Sequence, residues 1–104
     1  MEDTVKVKIT VLKRFDPSEV FQSSPVTFIK PTGACDVFSD GQEFVVDNLI
    51  MPEGFCPVAW ISLCNNVRLL SYGVNFPWFK EEGVIVNCCI DGLRPVIFKL
   101  ERVR

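Results

Sequence analysis

Val5, Val7, Ile9 and Val11 alternate with Lys6, Lys8 and Thr10 near the start of the chain. Period two with β-branched residues predicts a half-buried strand, and lysines on its open face discourage edge-to-edge pairing. Residues 14–34 carry no period. Asp16-Pro17-Ser18-Glu19 reads as a helix start with one turn around Glu19 to Gln22, and the rest as a connection punctuated by Pro25, Pro31 and Gly33. Connections of this length are often functional or mobile. Asp40-Gly41 marks a turn, after which Gln42, Phe44 and Val46 alternate with Glu43, Val45 and Asp47 as a second strand, closed by Met51-Pro52-Glu53-Gly54.

The clearest helix is predicted over 57–71. Pro57 suits the first helical position, where its missing N–H would have had no partner. Trp60, Leu63, Cys64, Val67 and Leu70 form one apolar stripe, and Gly73 is placed to end the helix in the left-handed conformation. The aromatic connector Asn75-Phe76-Pro77-Trp78-Phe79 leads to a hairpin, Val84 to Ile90 and Leu93 to Val103, turning at Asp91-Gly92. A slip of one residue reverses every side chain in such a pair. The pairing that gathers the apolar set on one face uses a three-residue loop, Ile90 to Gly92. It sets Val84 opposite Phe98, Val86 opposite Val96 and Cys88 opposite Arg94, with Cys88 toward the core and Cys89 away from it.

Together these elements predict an α+β fold in a single domain, 1–104: a small antiparallel or mixed sheet of four main strands with helix 57–71 across one face. The expected core is Trp60, Leu63, Val67, Leu70, Val7, Ile9, Phe44, Val86, Val96 and Phe98. Hydrophobic residues make up 48% of the chain, enough for one core without cross-links.

Net charge is −2, and the basic residues are scattered apart from Lys99, Arg102 and Arg104. A nucleic-acid surface needs a concentrated basic face, so that partner is not expected. No apolar run approaches the ~20 residues that span a bilayer. The acidic start, Met1 to Thr4, lacks the basic and apolar regions of a secretory signal, which predicts a cytoplasmic protein.

Five cysteines and no histidine confine the chemistry. An odd count predicts free thiols rather than a disulfide framework, and the commonest general base and metal ligand is missing. Cys64 in the helix stripe and Cys88 on the core face read as small apolar fillers. Cys56, immediately before Pro57, takes the N-cap, where a sulfur would face unpaired N–H groups and the positive end of the helix. The alternative is a thiol filling space beside Phe55. Cys35 ends the irregular segment and Cys89 lies near the hairpin tip. A site built from Cys35, Cys56 and Cys89 would be a metal or redox centre. A closed zinc site would need Asp36, Asp91 or a further thiol as fourth ligand.

Three stretches carry a resemblance: Cys35-x-x-Phe38-x-x-Gly41-Gln42-x-Phe44, Gly54-Phe55-Cys56-x-x-Ala59-Trp60, and Cys88-Cys89-x-Asp91-Gly92-x-Arg94-Pro95-Val96-x-Phe98. The chain resembles an uncharacterised family of small bacterial and archaeal proteins of about this length. Cys35, Cys56 and Cys89 match its motif positions. Asp36 stands where that family's pattern has proline, so the loop there is expected to differ. The resemblance implies a prokaryotic cytoplasmic protein and brings no activity or cofactor with it.

Besides the thiol site, two readings stay open. One is a non-catalytic interaction module, a possible homodimer, that presents a strand edge or the segment Phe76-Pro77-Trp78-Phe79. The other is a small-molecule enzyme built on Arg94 with Asp91 or Asn87, for which no residue spacing asks.

Overall fold

The computed structural model describes residues 5–103; Met1 to Thr4, read above for the missing secretory signal, and Arg104 lie outside them. Six elements follow in order: β1 (Val7–Arg14), α1 (Pro17–Val20), β2 (Glu43–Val46), α2 (Pro57–Ser71), β3 (Val84–Cys88) and β4 (Val96–Arg102). The strands form one sheet in the order β2-β1-β4-β3, and every pairing is antiparallel. Among the described residues no helix is long and apolar enough to cross a membrane.

The alternation in β1 does what it predicts. Val7, Ile9 and Val11 are fully buried. Lys8, on the open face, pairs with Glu43 at 3.5 Å and Glu101 at 3.7 Å. Such half-exposed pairs contribute little to stability. A bulge at Leu12 shifts the β1–β4 register between Val11 and Lys13.

Helix α2 begins at Pro57 and packs on β1, β3 and β4. Its buried line is Ala59, Leu63, Val67 and Leu70. The stripe is therefore turned slightly from the expected one, and Trp60 is only half-buried. Trp60 sits edge-on to Phe55, ring centroids 6.1 Å apart, while Phe55 takes the central place. The β2 side of the sheet is covered by aromatic rings instead of helix. Phe38 meets Phe55 and Phe98 at 5.1 Å each, and Phe44 meets Phe55 at 5.0 Å. Phe44 itself is half-buried.

The end of α2 is closed from both sides. Gly73 has φ +94°, and the amides of Gly73 and Val74 return to Leu70 O and Leu69 O at 3.0 Å each, the two bonds of a Schellman motif. Arg102 then donates to Leu70 O and Val74 O at 2.9 Å each, tying the last residue of β4 to the helix end. Gly83 makes that approach feasible, since a Cβ there would lie 2.9 Å from the guanidinium carbon.

The hairpin register differs from expectation. Val84 pairs with Glu101, Val86 with Lys99 and Cys88 with Ile97, and Cys89 N–H continues the ladder to Val96 O at 3.1 Å. Ile85 is buried and Val86 exposed, so Val86 leaves the core and Cys88 faces solvent while Cys89 packs against the core. Two residues account for the shift. Pro95 has no N–H to give a ladder, so β4 starts at Val96. Asp91 draws the amides of Leu93 and Arg94 into a local turn at 3.0 and 3.1 Å, lengthening the loop to Ile90–Pro95.

The single turn of α1 lies at Pro17–Val20 rather than around Glu19 to Gln22. Asp16 and Glu19 form a reciprocal capping box. Beyond it, every residue from Phe21 to Lys30 is exposed. This arm helps stretch the molecule to 49 × 30 × 20 Å, with a radius of gyration of 15.1 Å; a compact chain of this length would have about 13 Å.

Candidate functional site

Three loops meet at the end of the sheet where β1 finishes and β4 begins. Arg14, the last residue of β1, donates Nη1–H to Cys35 O at 2.8 Å and Nε–H to Asp40 Oδ1 at 2.9 Å. One rigid strand end thus holds both ends of the loop that carries Cys35, and Phe38 pins its middle into the core. The second loop turns through Gly54, φ +82°, and delivers Cys56 to the N-cap of α2. The N-cap position is as expected, but the sulfur takes no capping hydrogen bond. A thiol is a poorer acceptor than the oxygen of Ser or Asp.

The third loop follows β3. Val96 N–H points at Cys89 Sγ, 3.4 Å away, in addition to the backbone pair between the same residues. Asp91 Oδ2 lies 3.5 Å from Arg94 Nε, and Phe15 N–H reaches Pro95 O at 3.0 Å, docking this loop against the end of β1. Arg94 also extends a long contact, 3.5 Å, to Gly33 O.

The outcome is a pocket of about 220 Å³ lined by Cys35, Cys56 and Cys89 together with Asp91 and Arg94, over an apolar floor that includes Phe38, Ala59 and Val96. All three sequence-predicted site residues line it. Each is partly buried and free. The volume suits a molecule of only a few non-hydrogen atoms, below the usual range for larger ligands. Burial works to raise the pKa of Asp91, but hydrogen bonds from the Leu93 and Arg94 amides, with the Arg94 guanidinium, outweigh it and hold the carboxyl below its ordinary range.

The remaining cysteines stand apart. Cys88 is exposed on the opposite face, correcting its expected core position. Cys64 lines a separate shallow groove of about 320 Å³ with Leu49, Trp60, Asn65 and Arg68. Asn87, a suggested partner of Arg94, is instead bonded to Asn66 Nδ2 at 2.8 Å. Among the described residues no three Cys, Asp or Glu side chains are arranged to hold a metal ion. Sequence reasoning missed Arg14 and the part that Arg94 plays in fixing the loops. The only signal was an arginine at the end of a strand and another beside a proline. No family model matches the chain, and neither does any curated protein or solved structure.

Proposed function

We propose that the pocket is a thiol-based redox site in which two of Cys35, Cys56 and Cys89 are reversibly joined. The observation that carries this reading is their convergence on one small pocket from three separate loops, beside Arg94. The oxidant is a peroxide. One thiol gives up its proton and its sulfur attacks the outer peroxide oxygen. The O–O bond breaks, the leaving oxygen departs with that proton as alcohol or water, and a sulfenic acid remains. A second thiol displaces its hydroxyl, forming the S–S bond and releasing water. The two electrons lost by the thiols reside in the reduced peroxide, and an external dithiol returns the pair to the start. Arg94 supplies a fixed positive charge where negative charge develops.

A cytoplasmic, reducing setting belongs to this proposal and is supported by five free cysteines. So does kinship with the small bacterial and archaeal proteins whose motifs the chain resembles, supported by those motifs.

Peroxide treatment followed by alkylation and peptide mapping tests the reading. A dithiol-reversible disulfide within the trio is expected, lost when either of the two mapped cysteines is replaced by serine and retained in Cys88→Ser. A trio that stays reduced while exposed Cys88 oxidises would refute it. Native mass spectrometry of the same chain with and without zinc addresses the metal form of the site: stoichiometric zinc removed together with the trio would replace the redox reading.

A further inference from the structure

The arm and one sheet edge are each incomplete. Val26-Thr27-Phe28-Ile29 is a run of strong strand formers bounded by Pro25 and Pro31. All four side chains are exposed, Ile29 fully so. The local hydrogen bonds of this stretch come from the Ser24 and Thr32 hydroxyls, and the amides of Thr27 to Lys30 find no partner among the described residues.

At the far edge of the sheet, Cys89 N–H and Gly83 O both face β4. The alternating residues Val84, Val86 and Cys88 therefore direct their amides outward, to an edge that pairs with no strand and where Ser62 Oγ–H donates to Cys88 O at 3.1 Å. Val86 and Cys88 are exposed beside it. The other edge is blunted. Glu43, the first residue of β2, and Asp47, just after its end, form ion pairs with Lys8 and Lys6, and left-handed Asn48 and Leu49 bend the chain away. Charge selects the same edge. The arm carries Lys30 and no acidic residue between Val20 and Ala34, while Glu81 and Glu82 precede β3. None of these three has an ion pair among the described residues.

We propose that the chain self-associates by arm exchange: Val26–Ile29 of one copy adds as a strand to the outer edge of β3 in a second copy, and the reverse. Because the exchange is reciprocal, the pair is two-fold symmetric and closes at two, where one-way donation of arm to edge would run on into a ring or filament. Lys30 then meets Glu81 and Glu82 of the other copy's edge.

Sedimentation equilibrium of the full chain over a concentration series tests this. A dimer is expected, weakened at least about tenfold by Phe28→Asp, which removes an apolar anchor from a strand contact. Val86→Pro should weaken it comparably, because the lost N–H faces outward and the β3–β4 ladder is kept; circular dichroism checks that the fold survives. Lys30→Glu alone, or Glu81→Lys with Glu82→Lys, should weaken it, and the combination should restore it. A monomer at every concentration, or a dimer indifferent to Phe28→Asp, would overturn the proposal. Sensitivity to the arm but not to Val86→Pro or the charge exchange would seat the arm elsewhere and overturn it as well.

Discussion

At the scale of single residues, Asp91 does more for the pocket than any thiol. Its carboxylate gathers the Leu93 and Arg94 amides and faces the Arg94 guanidinium, so one side chain shapes the loop and aims its cation. Asp91→Ala should destabilise the fold by about 0.5–2 kcal/mol, the range for losing a comparable cap, read from urea denaturation. Asp91→Asn keeps an acceptor for the amides and should fall nearer the natural chain. The carboxyl is depressed below its reference value of 3.8 in the folded chain. Its contribution is therefore complete above that value and disappears as pH falls through the lower folded one. Acid titration followed at the Leu93 and Arg94 amide signals should show the loop loosening only below pH 3.8. A transition centred above it would contradict the sign.

Among elements, α2 best illustrates what patterning can and cannot say. Pro57, the apolar stripe and Gly73 set its limits, and β1 was equally legible, because both have one wet and one dry side. Which neighbour on the stripe lies deepest depends on what shares the core. Phe38 and Phe55 come from loops with no period, and they push Trp60 to the rim. Leu63→Ala should thus cost about 2–5 kcal/mol, whereas half-buried Trp60→Ala should cost less, about 1–2 kcal/mol on the apolar area it hides. The ranking is checked by urea midpoints at equal slope. The β3–β4 register was lost for a nameable reason. Hydrophobic alternation fits more than one offset, and the choice fell to Pro95 and the Asp91 turn, both readable only as local chemistry. The same shift exchanged the roles of Cys88 and Cys89.

Taken whole, the molecule is a sheet with one helix-covered side and an arm that shares none of its core. Val26→Ser, Phe28→Ser and Ile29→Ser together should leave the melting temperature of the monomer, at low concentration, within a few degrees, because exposed substitutions seldom exceed ±0.5 kcal/mol. A large drop would place the arm inside the cooperative unit. The convergence of Cys35, Cys56 and Cys89 belongs to this scale too. No spacing encodes it; it arises because β1 ends where β4 begins, bringing three loops to one corner.

That corner also anchors the arm. Gly33 O is touched by Arg94 and Cys35 O is gripped by Arg14, so the arm's root passes between two guanidinium groups. A load applied to the arm is delivered to a hinge that is itself a wall of the pocket. Capture of that limb by another molecule would therefore be felt first at Cys35 and, through Arg94, at the loop that carries Cys89, leaving Cys56 aside.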